Sequence, residues 1–392
     1  MNKIELLSPA GDLERLKLTL LYGADAVYIG GKDYSLRANA NNFSVEEIKE
    51  ACSFAHNLGK KVYLTLNIVF HNEDIIGVED YIKKIAEVGI DAFIVSDPFI
   101  IKYIKEKYPQ IEVHLSTQAS VTNKEAAKFY KKAGVDRIVL ARELSKNEIK
   151  DIIDETKLDI EIFIHGAMCT FYSGRCVLSN HITNRDSNRG GCSQVCRFAF
   201  DFPHKQQEFT CATKDLNMIN NIQSLIEIKV KSLKVEGRMR SVYYLATVIG
   251  TYRKIIDAYY LGTLTPDLII KANTILERVS NRENSEHYYN KPADETDQYY
   301  TGRGELSNQD YLAFITNYDK KTKICTMIQR NYFKKNDLVE IFMPSGKLIS
   351  LKIGKFYTEK YELLDVARHP EEIIKIKIDE EVEKFSMMRK KV

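Results

Sequence analysis

The most constraining feature of this sequence is an eightfold alternation of short apolar runs with longer amphipathic patterns, which begins at its N-terminus. The short runs are rich in β-branched residues, as strands are, while the longer patterns repeat their apolar residues at helical spacing. Several helical patterns end in glycine directly before the next run, a common way for helices to stop. The predicted strands are Ile4–Ser8, Ala26–Gly30, Val62–Ile68, Ala92–Ser96, Val113–Thr117, Arg137–Ala141, Ile160–His165 and Ser232–Glu236.

Eight strand–helix units in a segment of this length predict a (β/α)8 barrel of the TIM type over residues 1–265. A doubly wound open sheet uses the same local pattern and is the alternative. We favour the barrel because no glycine-rich dinucleotide fingerprint follows the first strand. Functional groups of such barrels lie where the strands end, and the predicted strand ends are polar here. We therefore expect these polar ends to converge on one rim.

The repeat of strands and helices is interrupted by an insertion and is followed by segments with a different pattern. A long insertion at residues 166–212 follows the seventh strand and contains four of the seven cysteines. A polar stretch then predicts a helical and polar linker over residues 266–305. Residues 306–392 alternate polar and apolar side chains with turn signals between them, which predicts a small, β-rich, barrel-like C-terminal domain.

Composition narrows the class of protein. The chain is 44% hydrophobic with a formal net charge of +3, which excludes a disordered chain. No apolar run is long enough to span a membrane, and the N-terminus lacks the apolar segment of a secretory signal. We therefore expect a soluble, cytoplasmic protein that does not enter membranes.

The clustered cysteines have the spacing C-x6-C-x15-C-x3-C and are Cys169, Cys176, Cys192 and Cys196. In a cytosolic protein such crowding favours metal binding or redox chemistry over disulfides. Four thiolates suit a [4Fe–4S] cluster or Zn²⁺. We favour the cluster because only the last pair has the short spacing of a zinc knuckle. Zinc is second, and buried cysteines without a metal are the third alternative.

Several segments resemble one known family. They are the run from Glu161 to Ser179 (EIFIHGAMC followed by GRCVLS), the opening ELLSPAGD and the segment SLKVEGRMRS. These resemble the collagenase-like peptidases, a family of unknown catalytic type. Within that family the chain is most similar to the tRNA uridine 5-hydroxylation group, with its C-x3-C pair and its AxHP motif at Ala367–Pro370. Asn217 stands where other branches carry a cysteine, so the resemblance makes Cys196 the fourth ligand.

The resemblance implies an iron–sulfur enzyme that hydroxylates carbon 5 of the wobble uridine in tRNA, with prephenate as the hydroxyl donor. The partners it implies are a tRNA anticodon loop and a small dicarboxylate, and it leaves open an oligomer with itself or with a paralogue. Arginine forks match carboxylates well, and four residues at strand ends are candidates for binding substrate. These are Arg37, Gln118, Arg142 and Arg238.

Three residues are candidates for catalysis: His165, Glu236 and Arg238. His165 ends the seventh strand, where an imidazole can act as a general acid or base, although a lone histidine is more often structural. Glu236 can orient Arg238 or act as a base. Each arginine can instead form a salt bridge with a rim acid, Glu143 or Glu236.

Other functions remain open from the sequence. The first is a collagenase-like peptidase, although cysteines that bind a metal cannot attack a peptide and no G-x-S-x-G elbow or H-E-x-x-H helix occurs. Another RNA hydroxylase of the same family and a zinc-held RNA-binding scaffold are further alternatives. RNA contacts are expected from a basic run in the C-terminal domain, for which a solvated hairpin face is the alternative: Lys320, Lys321, Lys323, Arg330, Tyr332, Lys334 and Lys335.

Overall fold

The computed structural model describes residues 3–36, 42–201, 209–299 and 310–391. Its N-terminal part is a closed barrel of eight parallel strands, in which β9 pairs with both β1 and β7. This closure confirms the predicted (β/α)8 barrel and excludes the open sheet. The barrel strands are β1 (Glu5–Pro9), β2 (Ala26–Gly30), β3 (Lys61–Leu66), β4 (Ala92–Val95), β5 (Glu112–Leu115), β6 (Arg137–Val139), β7 (Asp159–Gly166) and β9 (Ser232–Val235), and the short strand β8 (Asp215–Asn217) pairs with β7 outside the barrel.

Several of the helices begin where the sequence supplies a capping side chain. Ser44 and Ser145 each form a capping box with a glutamate three residues on, and Asp97 accepts from two backbone N–H groups. The helices are α1 (Leu13–Leu21), α2 (Val45–Asn57), α3 (Asn72–Ile75), α4 (Val78–Glu87), α5 (Pro98–Lys107), α6 (Lys124–Lys132), α7 (Lys146–Thr156), α8 (Leu178–Thr183), α9 (Ile222–Glu227), α10 (Val242–Tyr260) and α11 (Pro266–Glu277). No described helix has the length and apolar character needed to cross a bilayer.

The cysteine-rich insertion leaves the barrel after β7 and returns through β8, which pairs antiparallel with the end of β7. The polar stretch after α11 then pairs with β8 and with the residues that precede it. Its strand β10 (Asn284–Ser285) runs parallel to β8, and the Tyr299 N–H donates to the Ala212 carbonyl at 2.9 Å. The described part of the predicted linker 266–305 is therefore helix α11 followed by a segment that packs against the barrel.

The C-terminal domain has its own hydrophobic core and a predominantly antiparallel sheet of eight strands, in the order β15-β14-β20-β11-β12-β19-β16-β17. This confirms the predicted β-rich domain. The strands are β11 (Tyr311–Asp319), β12 (Ile324–Gln329), β13 (Phe333–Lys334), β14 (Leu338–Phe342), β15 (Leu348–Lys352), β16 (Phe356–Thr358), β17 (Leu363–Leu364), β18 (Val366–Ala367), β19 (Ile373–Lys377) and β20 (Met387–Lys390). The domain docks on the barrel through polar contacts, including a 2.7 Å ion pair between Arg278 and Asp310.

Candidate active site

A pocket of about 570 Å³ opens at the C-terminal ends of the barrel strands, beneath the cysteine-rich insertion. Tyr28, Phe163 and Lys234 line it from within the strands, and residues of the insertion line the opposite wall. Because parallel strands of a barrel all end on this rim, side chains far apart in the sequence meet here. This pocket is the candidate active site.

Lys234 is a buried cation among the pocket-lining residues. Its Nζ lies 2.8 Å from Glu161 Oε1 and 4.3 Å from the centroid of the Tyr28 ring. Glu161 also pairs with Arg137 at 3.1 Å, and Arg137 pairs in turn with Glu5 at 2.6 Å. We call this chain of four charges the ionic ladder: Glu5, Arg137, Glu161 and Lys234. Buried charges need such partners because burial alone disfavours the charged form.

The pKa values within the ionic ladder follow from these contacts. Burial raises the pKa of Glu161, but the charges of Lys234 and Arg137 outweigh it and lower that pKa to about 2. Burial lowers the pKa of Lys234, and the nearby charge of Glu161 acts in the opposite direction. The ladder thus keeps a carboxylate charged beneath the cation that lines the pocket.

Arg142 and Arg238 add two cations to the lining, as the sequence predicts for a carboxylate-binding site. The guanidinium of Arg142 lies 3.9 Å from the centroid of the Phe163 ring and donates to the Ala167 carbonyl at 2.7 Å. The Arg142 Nε is buried without a hydrogen-bond partner among the described residues. The alternative from the sequence, a salt bridge between Arg142 and Glu143, is not formed in the described part of the structure.

Arg238 is fixed by neutral oxygens of the neighbouring strand ends. It donates to Ser35 Oγ at 2.8 Å and to Asn42 Oδ1. A Cβ on Gly30 would overlap the Arg238 Nη2, so this guanidinium fits only because residue 30 has no side chain. Arg37, the third predicted arginine, lies outside the described residues.

Gln118 and Glu236 both line the pocket, as expected from their positions after strands. The buried Gln118 Oε1 has no described hydrogen-bond partner. The backbone of Gln118 packs closely against Gly174 of the insertion, where a Cβ would overlap the Gln118 carbonyl. Gly174 has a φ of +76°, which favours glycine. This contact seats the insertion on the rim.

His165 lies behind the pocket, outside its described lining. Its Nδ1 is 3.3 Å from the hydroxyl of Tyr252, and its ring packs against Tyr244 and Tyr252. Burial, with the charge of Arg240, lowers the pKa of His165 to about 3. The geometry therefore gives no support to the predicted substrate contact or acid–base role and assigns the imidazole a packing role.

The four clustered cysteines, Cys169, Cys176, Cys192 and Cys196, all line the pocket. The pKa of Cys169 is raised by burial and, to a smaller extent, by the charges of Cys176 and Cys192, so these thiols lie within electrostatic range of one another. Among the described residues no three His, Cys, Asp or Glu side chains converge on a single-ion site. Cys211 lies outside the described lining, and its carbonyl accepts from Thr170.

Three arginines of the pocket lining escape sequence-based prediction: Arg197, Arg240 and Arg282. Arg282 comes from the segment that the sequence predicts as a linker, so no local signal places it at the barrel mouth. Arg240 follows the predicted Arg238 by two residues, and Arg197 directly follows a predicted cysteine ligand. Lys234 is also missed, because a lysine within an apolar strand does not reveal which face it occupies.

The predicted basic run of the C-terminal domain does not form one patch. Lys320 and Lys323 lie at the turn before β12, whereas Arg330 follows its other end, about 20 Å away at the usual rise per residue. Lys320 and Lys323 are paired with Glu381 and Asp379 at 2.6 and 3.1 Å. This arrangement favours the alternative of a solvated hairpin face.

Together these observations define a class of protein: a (β/α)8 barrel whose mouth combines a four-cysteine insertion with several buried cations. Residues 11–299 match peptidase family U32, and residues 307–389 match the C-terminal domain of the same family. The chain belongs to peptidase family U32. The resemblance to collagenase-like peptidases is thereby confirmed.

Relatives within this family carry different names. A Bacillus subtilis (strain 168) protein named tRNA hydroxylation protein P1 is 43% identical over 403 residues, covering 99% of this chain and 95% of the relative. An Escherichia coli (strain K12) protein named as a 23S rRNA 5-hydroxycytidine synthase is 39% identical over 66% of this chain and 40% of the relative. A Porphyromonas gingivalis protein named Collagenase is 32% identical over 94% and 92% of the two chains.

Proposed function

We propose that this protein is an RNA-modifying enzyme that hydroxylates carbon 5 of a pyrimidine, the wobble uridine of tRNA. The name of the Bacillus subtilis relative, which matches nearly the whole chain, supports tRNA as the substrate. The name of the Escherichia coli relative supports position 5 of a pyrimidine ring as the reacting position. The observation that carries the proposal is the meeting of four thiols and several cations in one pocket at the barrel mouth.

The cysteines fit a [4Fe–4S] cluster as the resident cofactor, with Zn²⁺ as the alternative. Four thiols that share one pocket wall provide the soft donor set that either group requires. Cys169, Cys176, Cys192 and Cys196 would hold the cluster, which when bound supplies redox or Lewis-acid chemistry beside the substrate. Placement at the barrel mouth, rather than in a remote scaffold, supports a catalytic role for it.

The cations of the pocket fit a small dicarboxylate, and we propose prephenate as the hydroxyl donor. Arg142 and Arg238 are guanidinium groups held in fixed positions on different strand ends, and Lys234 adds an ammonium to the same lining. Fixed guanidinium forks bind carboxylates with little loss of side-chain entropy. These three residues would orient the donor, and burial of the pocket walls strengthens each charge interaction.

The mouth of the barrel pocket can also hold a nucleobase that is no longer stacked on its neighbours. Tyr172 lines the pocket from the insertion and is 49% exposed, so its ring is available for contact with a base. A uridine of the anticodon loop is single-stranded, which makes turning it out inexpensive. Tyr172 would stack on that base while the cations hold the donor beneath it.

The peptidase alternative finds less support in the pocket. A cysteine peptidase pairs its nucleophilic thiolate with a base, usually a histidine. The described lining of this pocket contains the four clustered cysteines and no histidine, because His165 lies behind it. Hydrolysis of gelatin by the purified protein, absent from the Cys196→Ala variant, would favour the peptidase over the hydroxylase.

The test begins with anaerobic purification and a count of iron, sulfide and zinc in the wild type and in Cys196→Ala. We expect about four iron and four sulfide per chain, sharply reduced in the variant. Cys211→Ser is the matched control, because this cysteine lies outside the described pocket lining, and it should keep its iron. Stoichiometric zinc without sulfide would contradict the cluster.

The activity is then tested with unmodified tRNA, prephenate and a reductant, followed by mass spectrometry of the digested nucleosides. A gain of one oxygen on the wobble uridine, dependent on prephenate and absent with Cys196→Ala, is the expected result. Failure of the iron-loaded wild type to modify any RNA would contradict the proposed function.

A further inference from the structure

Three arginines from separate segments converge at one side of the pocket, around a single carboxylate. Arg282 Nη1 lies 3.0 Å from Asp215 Oδ1, and Arg240 Nη2 lies 3.3 Å from Asp215 Oδ2. Arg197 of the insertion is close enough to interact electrostatically with both arginines and with Asp215. We call these residues the arginine cluster: Arg197, Arg240 and Arg282.

The arginine cluster concentrates positive charge in a place that water reaches poorly. The side chains of Arg282 and Asp215 are each 6% exposed. Glu236 acts on Asp215 as a second negative charge. The attraction between these guanidinium groups and an anion is stronger where water is largely excluded.

The position of the arginine cluster separates it from the cations that fit the small co-substrate. Arg142 and Lys234 contact Phe163 and Tyr28 of the barrel strands. Arg282, by contrast, lines both the pocket and an adjoining groove of about 730 Å³ outside the barrel, beside α11 and β10. All three arginines therefore line the pocket, and Arg282 also faces the groove beside it.

We propose that the arginine cluster binds a backbone phosphate of the RNA, next to the nucleotide that enters the pocket. This inference rests on the proposed function and identifies how the same site binds the backbone of its RNA substrate. Guanidinium forks match phosphate oxygens in geometry and charge, and phosphate contacts position an RNA without reading its sequence. A nucleotide turned into a pocket leaves its flanking phosphates at the rim, which is where the cluster lies.

The experiment measures binding of a fluorescein-labelled anticodon stem-loop, with uridine at the wobble position, by anisotropy over a series of KCl concentrations. Arg240→Gln and Arg282→Gln should each weaken binding about tenfold, because a charge-assisted hydrogen bond is lost. Each should also lower the slope of log Kd against log salt by about 0.7 to 0.9, the contribution of one phosphate.

Two further variants keep the test interpretable. Lys231→Gln removes one positive charge at the opposite end of the barrel, directly before β9, and should bind RNA like the wild type. Asp215→Asn removes the carboxylate that competes with phosphate, so it should bind RNA more tightly, which a misfolded variant would not do. Circular dichroism of every variant checks that the fold is intact.

The outcomes separate this inference from the proposed function. Wild-type salt slopes in both arginine variants would overturn the phosphate site, even if the enzyme hydroxylates uridine. A raised KM for prephenate with unchanged RNA binding would also overturn it, since the arginine cluster would then serve the small carboxylate. Reduced salt slopes in a protein that forms no hydroxylated nucleoside would support the phosphate site and contradict the proposed function.

Discussion

At the scale of single residues, the pocket depends on a glycine, which leaves room for a charged side chain, as much as on the charged side chain itself. Gly30 ends β2 and touches the guanidinium of Arg238, which can be displaced because it is the far end of a long side chain. A methyl group at residue 30 would also overlap Ser35 Oγ, so it would displace both the cation and one of its hydrogen-bond acceptors.

We expect Gly30→Ala to lower kcat/KM for the hydroxylation at least about tenfold, as misplaced substrate-binding groups usually do. The matched control is Gly354→Ala, because no atom lies within 4 Å of its added Cβ and the activity should stay unchanged. Equal activities of the two variants would show that Arg238 does not hold substrate.

His165 is a residue whose effect should appear in stability rather than in catalysis. Its pKa is lowered to about 3 by burial and the charge of Arg240, whereas an unfolded histidine has a pKa of about 6.5. The unfolded state therefore takes up the proton first, and stability that is complete above pH 6.5 falls as the pH drops towards 3.

When the pH is lowered from 7 to 5, protonation of this histidine in the unfolded state should lower the free energy of unfolding by about 2 kcal/mol. The measurement is urea unfolding of the wild type and of His165→Gln at both pH values. The variant should lose less stability on acidification, whatever its stability at pH 7. An equal loss of stability in the two proteins would show that His165 does not cause this pH dependence.

At the scale of elements, the ionic ladder ties four barrel strands together from inside. Glu5 is on β1, Arg137 on β6, Glu161 on β7 and Lys234 on β9, and their side chains are between 0% and 14% exposed. The ladder thus bridges the closure of the barrel, where β9 pairs with β1 and β7. Removing one charge leaves its partners buried without compensation.

Glu161→Gln should therefore destabilise the barrel by about 3 to 5 kcal/mol, as breaking a buried ion pair does. The double variant Glu161→Gln/Lys234→Met should recover part of the lost free energy of unfolding, because one uncompensated charge is then removed. Urea unfolding measures both. Glu155→Gln breaks an exposed pair with Lys128 and should cost at most about 1 kcal/mol. No recovery in the double variant would contradict the coupling.

At the scale of the whole molecule, the two domains are joined by a polar junction around Asp310. Its carboxylate accepts from the hydroxyl of Tyr243 on α10 and from Arg278 after α11, with Arg278 also 3.5 Å from Glu340. Tyr22 adds a hydrogen bond to the Phe385 carbonyl at 2.9 Å. They act beside apolar contacts, because the ring of Tyr243 stacks on that of Tyr311 and Phe314 packs in the barrel core.

Asp310→Ala should leave Arg278 without its carboxylate partner and loosen the docking of the C-terminal domain. Differential scanning calorimetry should then resolve two thermal transitions where the wild type has one, because most of the C-terminal sheet has a core of its own. Asp319→Ala, at an exposed turn of the same domain, should keep the wild-type profile. A single unshifted transition in Asp310→Ala would show that apolar contacts hold the domains together.

The sequence by itself determined the barrel, its insertion and its C-terminal sheet. Strand and helix patterns are local, since each run of apolar residues reports which of its own side chains are buried. The C-terminal ends of parallel strands share one rim, so Arg142, Arg238 and Gln118 were predictable as neighbours from their positions alone. The cysteine spacing is local in the same way, and it predicted that the four thiols belong together.

Only the tertiary structure decided which polar residues face the pocket. His165 ends a strand on the rim yet lies behind the lining, because Tyr244 and Tyr252 enclose its ring. Arg282 belongs to a polar stretch without a local pattern, and pairing of β10 with β8 brings it to Asp215. Such contacts join residues far apart in the sequence, and their energies depend on burial and distance, which no local pattern contains.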